Sequence, residues 1–288
     1  MLSRSFAYCR PDSLEEATDV LGRYPGARPL AGGQSIVNVL KLRAAEVEAL
    51  VDISRLEELR FVSAEPGRLE IGAGVRYREL AESADVGGAL PIVAAIASRL
   101  VDVQVRNRGT IGGNVCYHDP GSNFPPLLVA LGATLRVAGP GGREREVAAG
   151  DFFVGPFQTA LGNGELLRSV VLPVPGAGAG IGYQSLQIGV DSWALARAAA
   201  VVRGNGSIEE ARVVLSAVGP RPARQRAIEE RLRGQTADSD AIERATAGEL
   251  EDVDPPSDSH ASAEYRLEMA RVMARRAVEQ ALATKGSA

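Results

Sequence analysis

The chain has 288 residues, of which 45% are hydrophobic and 24% are charged, and its formal net charge is −4. These values are typical of a globular protein with two or three small domains, and they exclude a chain that is disordered throughout. The mild acidity and the aromatic content of 5% argue against a protein that binds nucleic acid.

Cysteine and histidine are scarce, with two residues of each type. Cys9 and Cys116 cannot form a disulfide framework, and we expect neither a metal site nor an iron–sulfur cluster in this chain. No apolar run reaches the roughly 18 residues of a membrane-spanning helix, and residues 1–12 do not resemble a secretory signal. We expect a cytoplasmic protein without a transmembrane segment, with peripheral attachment at the inner face of the membrane left open.

The N-terminal part predicts a small α/β unit. Ser13 and Glu16 form an S-x-x-E capping box, and apolar residues recur after it at helical spacing. A Pro-Gly pair at 25–26 ends this helix. The elements predicted next are a strand at 27–31, a helix at 36–42 and a strand at 49–53.

From about residue 59 the pattern changes. Two short apolar runs, 61–63 and 69–71, flank a Pro66-Gly67 turn and predict a hairpin. Further on, apolar residues alternate in a way that is typical of antiparallel strands. The remaining elements predicted here are helices at 77–84, 90–100 and 127–131 and strands at 133–137, 143–147 and 166–172.

A segment rich in proline, glycine and alanine, residues 174–182, predicts a linker to a C-terminal unit. The run 195–202 fits a helix or a strand equally well, because it consists mainly of alanine and valine. The last helix, 261–282, carries a one-sided apolar stripe. The other elements predicted after the linker are strands at 183–188 and 211–217 and helices at 223–232 and 239–249.

Two glycine pairs stand at positions where main chain can approach a ligand. The first, Gly32-Gly33, lies between a predicted strand and a predicted helix, and the second is Gly112-Gly113. Paired glycines let successive N–H groups converge on an anion, and a diphosphate suits two such loops. Each pair taken alone is equally typical of a tight turn. The chain contains neither G-x-x-x-x-G-K-[ST] nor G-x-G-x-x-G at a strand–helix junction, which disfavours a P-loop ATPase and a Rossmann domain.

An ordered set of motifs resembles the FAD-binding medium subunit of the molybdenum hydroxylases, the family of carbon monoxide, xanthine and nicotine dehydrogenases. The resemblance covers nearly the whole chain in the right order. The motifs are AGGQS at 31–35, LEIGAGV at 69–75, RNRGTIGGN at 106–114, DPGSN at 119–123, DFF at 151–153 and SDSHASAEYR at 257–266.

The resemblance implies an α+β fold with two α/β subdomains of the PCMH-type FAD-binding fold and a smaller C-terminal α+β domain. The implied boundaries are residues 1–55 for the first subdomain and 56–173 for the second. Residues 174–182 would be the linker and residues 183–288 the C-terminal flavoprotein domain.

The resemblance also implies which residues bind FAD. Asn123 stands where many relatives have aspartate, and Gln184 stands where they often have lysine. Asp191, Ser192 and Trp193 resemble an acidic–aromatic segment of the family. The full set of implied FAD-binding residues is Leu30, Ala31, Gly32, Gly33, Gln34, Ser35, Ile36, Ile71, Thr110, Ile111, Gly112, Gly113, Asn114, Asn123, Leu167 and Gln184.

By the same resemblance, this chain is an oxidoreductase subunit without a catalytic acid, base or nucleophile, because the flavin carries the redox chemistry. A large subunit would hold a molybdopterin cofactor and a small subunit two [2Fe–2S] clusters, in a dimer of heterotrimers. Electrons would pass through those clusters to FAD and on to quinone, oxygen, a cytochrome or NAD.

Two alternatives stay open at this point. The chain could be a stand-alone FAD-dependent oxidoreductase of a related fold, although the sequence offers no convincing substrate base. It could also be an assembly protein that has lost its flavin. Cys116, His118 and Asp119 are too few ligands for a metal, and Asp258 with His260 is typical of a helix cap rather than a catalytic pair.

Overall fold

The computed structural model describes residues 5–100, 102–189 and 193–285. The larger sheets are of three, five and four strands, and they follow one another along the chain. Among the described residues, none of the helices is both long and apolar enough to cross a bilayer.

The first sheet is parallel, with strand order β1-β3-β2. As the capping box predicts, Ser13 Oγ accepts the Glu16 N–H at 3.1 Å, whereas the Glu16 carboxylate turns to the Asp12 N–H. Leu14 and Ala17 of the first helix pack against the buried strand of this sheet. The elements are β1 Ala7–Cys9, α1 Leu14–Arg23, β2 Arg28–Leu30, α2 Ile36–Lys41 and β3 Ala49–Asp52.

The second sheet is antiparallel, with order β4-β5-β10-β6-β7. The hairpin at Pro66-Gly67 is confirmed, and Gly67 has φ +77° in the turn. The elements are β4 Val62–Glu65, β5 Arg68–Gly72, α3 Tyr77–Glu82, α4 Ala84–Ala89, α5 Pro91–Ser98, α6 Val103–Arg108, α7 Ile111–Tyr117, α8 Phe124–Leu131, β6 Thr134–Gly139, β7 Arg143–Ala148, α9 Ala149–Phe152, β8 Phe153–Gly155, β9 Gln158–Thr159 and β10 Leu166–Pro173.

The third sheet is antiparallel, with order β11-β12-β13-β14. The ambiguous run 195–202 is a strand, because β12 lies between helices on both faces and small side chains fit there. The elements are β11 Ala179–Gln187, β12 Ala194–Arg203, β13 Glu210–Ser216, β14 Ala223–Arg224, α10 Arg226–Leu232, α11 Ser239–Thr246 and α12 Ala263–Ala283.

Residues 179–182 of the expected linker belong to β11, so this part of the prediction is wrong. Gly180 and Gly182 lie under the backbone of α12, and a Cβ at 182 would be 1.9 Å from the Ala277 carbonyl oxygen. The glycines therefore allow a close strand–helix contact rather than a flexible connection.

Four short helices, α4, α6, α7 and α9, were not predicted, because glycine and polar residues interrupt their patterns. Residues 223–225 precede α10 instead of opening it. The stripe of the last helix is narrower than predicted, since Met273 and Val278 are buried but Tyr265 is 47% exposed.

Candidate functional site

The first glycine loop, residues 31–35, connects β2 to α2. Gly33 has φ +75°, a conformation that favours glycine. Within the parts of the chain that the structure describes, the main-chain N–H groups of Gly32, Gly33, Gln34 and Ser35 have no hydrogen-bond acceptor. The loop is half-buried. A row of unpaired amide groups in such a place suits an anion.

The second glycine loop is built differently. The Thr110 side chain accepts the Gly113 N–H at 3.0 Å and caps α7. The N–H groups of Ile111 and Gly112 donate to carbonyl groups of the segment after β5, at 3.0 and 2.9 Å. The interpretation that this loop offers a row of free N–H groups is therefore wrong, because the protein itself satisfies them.

Gly112 has a packing role that the sequence did not reveal. A Cβ added to it would lie 2.6 Å from both the Cβ and the carbonyl oxygen of Ala73. The start of α7 therefore packs directly on the main chain that follows β5. Ile111 is fully buried beside it.

The two loops meet through their backbones. A Cβ on Gly32 would lie 2.1 Å from the carbonyl oxygen of Arg108 and 3.0 Å from the α-carbon of Gly109. A small, open cleft of about 50 Å³ lies where they meet. Its lining residues are Ala31, Gly32, Ile53, Ser54, Gly74, Arg76, Arg108 and Thr110.

The cleft is electropositive. Among the described residues, neither Arg76 nor Arg108 has a carboxylate within 4 Å. Glu79 accepts the Arg76 main-chain N–H at 2.8 Å, but its charge is paired with Arg60 at 2.6 Å. Burial raises the pKa of Glu79, and these hydrogen bonds outweigh it, so the pKa is lowered and the group stays ionised. Two guanidinium groups are thus free to bind an anion.

The opposite rim is held by a tyrosine–aspartate contact. The Tyr8 hydroxyl donates to Asp52 Oδ2, and Asp52 Oδ1 accepts the Ser54 N–H at 2.9 Å. Because Ser54 lines the cleft, this contact fixes the segment that leaves β3. Burial opposes ionisation of Asp52, but the hydrogen bonds from Tyr8 and Ser54 lower its pKa overall.

The other implied site residues lie outside this lining. Leu30 ends β2, and Ile36 begins α2. Ile71 and Leu167 are 0% and 3% exposed and belong to the core under the second sheet. Asn114 Oδ1 accepts the Phe124 N–H at 3.3 Å and joins α7 to α8.

Asn123 and Gln184 face different parts of the fold. The carbonyl of Asn123 accepts the Tyr183 hydroxyl at 2.9 Å, whereas the Gln184 amide donates to Gln280 of α12 at 2.8 Å. Gln184 therefore points away from the side of β11 that meets Asn123. Asp191 and Ser192 lie outside the described residues, and Trp193 is 64% exposed.

The loop after α7 is structural. His118 Nδ1 lies 2.7 Å from the Gly155 carbonyl oxygen, and burial lowers the pKa of this histidine. Burial also raises the pKa of the Cys116 thiol to about 12, which makes it unreactive. Asp258 accepts the His260 N–H and pairs with the buried Arg266 of α12, whereas the residue that caps this helix is Ser262.

Five residues of the cleft were not predicted as site residues: Ile53, Ser54, Gly74, Arg76 and Arg108. Gly74 and Arg108 stand within the LEIGAGV and RNRGTIGGN motifs but were not assigned a role. These residues share a position in the sequence, since each lies shortly after a strand or just before a glycine loop. Segments that follow the ends of strands commonly meet at a ligand site.

Comparison with known proteins shows the family of the chain. Residues 4–175 match the family described as the FAD binding domain in molybdopterin dehydrogenase, and residues 182–281 match the CO dehydrogenase flavoprotein C-terminal domain. The chain is 38% identical to the carbon monoxide dehydrogenase medium chain of Afipia carboxidovorans, over 98% of this chain and 99% of that one. It is 34% identical to the glyceraldehyde dehydrogenase medium chain of Sulfolobus acidocaldarius, over 97% and 99%.

The structure of carbon monoxide dehydrogenase from Hydrogenophaga pseudoflava superposes with a TM-score of 0.94 at 35% identity, covering 99% of this chain and 100% of that one. The fold and these matches thus define an FAD-binding flavoprotein. More narrowly, the chain belongs to the flavoprotein medium subunits of molybdopterin dehydrogenases. The expected α+β fold class is confirmed with it.

Proposed function

We propose that this chain is the FAD-binding electron-transfer subunit of a heterotrimeric molybdenum hydroxylase. The observation that carries the proposal is the cleft at Gly32 and Arg108. It lies at the start of the loop 31–35, whose N–H groups at 32–35 have no acceptor among the described residues, and it is lined by two guanidinium groups without a carboxylate partner in the same part of the chain. A diphosphate satisfies both sets, because its oxygens accept several hydrogen bonds and carry the opposite charge.

The residues of the cleft have distinct tasks in this proposal. The loop 31–35 donates its N–H groups to the diphosphate, Thr110 adds its unpaired N–H, and Arg76 and Arg108 neutralise the charge. Ile71 and Leu167 are buried in the core under the second sheet and would support the residues that hold the flavin. By the resemblance, Asn123 would lie at the flavin end of the site, and Gln184, which donates to Gln280, would support the neighbouring strand. The subdomain boundary near residue 55 falls at this cleft.

The redox role follows from the cofactor and from the medium chains that this one resembles. Bound FAD supplies the electron transfer, between [2Fe–2S] clusters of a small subunit and an external acceptor. A large molybdopterin subunit oxidises the substrate, and two such heterotrimers associate. This chain binds and orients the flavin, and its own side chains transfer no group.

The test is to produce the full chain alone and together with its large and small partner subunits. We expect FAD, identified after its release by heat, at one per chain in the complex. Reduction of the flavin by carbon monoxide or glyceraldehyde, the substrates named for the relatives, is expected only in the complex. Absence of flavin from both preparations contradicts the proposal. Oxidation of an organic substrate by the chain alone supports a stand-alone oxidoreductase instead.

A further inference from the structure

Four consecutive carbonyl groups of the 120–123 loop accept hydrogen bonds from the C-terminal sheet. This loop leads directly into α8. The groups that donate to it lie on β11, on β12 and directly after β13, which are all at least 60 residues further along the chain. The bonds are Ala217 N–H to Pro120 at 3.2 Å, Arg197 Nη1 to Gly121 at 2.5 Å and to Ser122 at 2.6 Å, and the Tyr183 hydroxyl to Asn123 at 2.9 Å.

Arg197 is the central donor and has an unusual environment. It is 1% exposed and heads the set of large, fully buried side chains. Its other contacts are Ser185 Oγ at 3.3 Å and the Tyr183 ring, whose centre lies 6.0 Å from the guanidinium carbon. In the described chain, no carboxylate lies within 4 Å of it. The direct contacts of this buried positive charge are therefore neutral dipoles, and Asp119 interacts with it at longer range: burial raises the pKa of Asp119, and the Arg197 charge acts in the opposite direction.

Burying a charge costs desolvation free energy, and an apolar side chain of similar size would fill the same space without that cost. The acidic group on this segment is Asp119, and its Oδ1 accepts the Gly121 N–H at 2.8 Å. Asp119 thus shapes the same loop without forming an ion pair with Arg197. A buried arginine stabilises the fold less than a well-packed apolar residue would at this position, which indicates that Arg197 has a second role.

The strand register sets this arrangement. Arg197 pairs with Ser185, and Ala199 pairs with Tyr183, so these side chains share one face of the sheet. Ala199 on that face packs in the core that contains α8. Gln184 lies on the other face, against α12. The face that meets the 120–123 loop therefore carries the arginine and the tyrosine together.

We propose that Arg197 is a positioning residue of the flavin site, which fixes the 120–123 loop and adds a buried positive charge beside Asn123. The inference rests on the proposed function, in which Asn123 lies at the flavin end. When FAD takes up two electrons and one proton, its ring gains one negative charge. A fixed positive charge stabilises that form and makes the reduction potential more positive.

Four variants of the full chain, assembled with its partner subunits, test this. Arg197→Gln keeps a neutral donor and removes the charge, Arg197→Lys keeps the charge, and Tyr183→Phe removes only a loop hydrogen bond. Arg203→Gln is the control, because Arg203 lies on the same strand but is exposed and paired with Glu210 at 3.1 Å. The measurements are FAD affinity and the flavin midpoint potential in a reductive titration.

We expect Arg197→Gln to bind FAD about tenfold more weakly and to have a more negative potential. Arg197→Lys should restore the potential, and Tyr183→Phe should lose about fivefold in affinity at unchanged potential. Equal potentials in wild type and Arg197→Gln overturn the proposal, as do equal shifts in the Gln and Lys variants. If Arg197→Gln does not fold, unchanged FAD affinity in Tyr183→Phe overturns it. A wild-type complex without FAD refutes the proposed function instead.

Discussion

The α-carbon of Gly32 lies directly against the carbonyl of Arg108, so that a Cβ on residue 32 would be 2.1 Å from that oxygen. This contact joins a loop of the parallel sheet to the end of α6. It places N–H groups without an acceptor beside a guanidinium group without a carboxylate partner, as far as residues 5–100, 102–189 and 193–285 show. The proposed diphosphate site exists because these two segments touch.

Replacing Gly32 with alanine should separate the two loops. A Cβ at 2.1 Å from the Arg108 carbonyl oxygen would clash with it, so the two segments must move apart. We therefore expect the free energy of unfolding to fall by about 1–3 kcal/mol and bound FAD to be lost. Urea unfolding and flavin occupancy measure the two effects. Gly88→Ala is the control, because Gly88 lies in α4 with no atom near its added Cβ, and alanine there should be neutral or stabilising. Retained FAD in Gly32→Ala would refute this role.

Arg76→Met and Arg108→Met should each weaken FAD binding about tenfold, because each removes a charged donor from the diphosphate site. Riboflavin, which has no phosphate, should bind all variants alike. The FAD difference should shrink with added salt, which screens the charges. Titration by fluorescence quenching measures these affinities.

Arg78→Met is the matched control for the arginine variants. Arg78 is two residues from Arg76, but it is exposed and paired with Glu82 at 2.9 Å, and such pairs contribute little. If all three variants lose FAD equally, the assignment of the diphosphate to this cleft is wrong.

Gly112→Ala and Gly113→Ala should differ in stability even without FAD. A Cβ at 112 meets Ala73 at 2.6 Å, whereas a Cβ at 113 meets only Thr110 Oγ1 at 3.0 Å. We expect Gly112→Ala to lose about 1–3 kcal/mol and Gly113→Ala clearly less. Thermal unfolding of the FAD-free proteins measures this. Equal melting temperatures for the two variants would show that Gly112 does not serve close packing.

His118 should make the protein less stable in mild acid. Burial lowers its pKa in the folded state, so the unfolded chain binds the proton more readily below the ordinary pKa of about 6.5. The contribution of neutral His118 to stability is complete above pH 6.5. It is lost as the pH falls from 6.5 toward the lower pKa of the folded state.

His118→Asn tests this titration, since asparagine tolerates the left-handed backbone at this position, where φ is +43°. We expect the variant to be about 1 kcal/mol less stable at neutral pH, through a weakened hydrogen bond to Gly155. Its stability should change less than that of wild type between pH 7.5 and 5.5. Parallel urea curves for both proteins at the two pH values would contradict the prediction.

Local patterns predicted much of the fold. The Ser13 cap and the Pro66-Gly67 hairpin depend on neighbouring residues, and the sequence located both. The helix α7 was missed because Gly112 and Gly113 resemble a turn, although Thr110 caps a helix there. The sequence predicts a linker at Gly180 and Gly182, whereas both glycines pack against the backbone of α12. That contact is not visible in the local pattern, because α12 lies about a hundred residues further along the chain.

The sequence alone determined the family, the order of the elements and the two glycine loops, since these depend on residue types in a fixed order. Only the tertiary structure decided that the first loop keeps its N–H groups free while the second uses them internally. It also decided that Arg76 and Arg108 share a cleft and that Arg197 reaches the 120–123 loop. These outcomes depend on contacts between distant segments, which packing and strand register fix and local sequence does not encode.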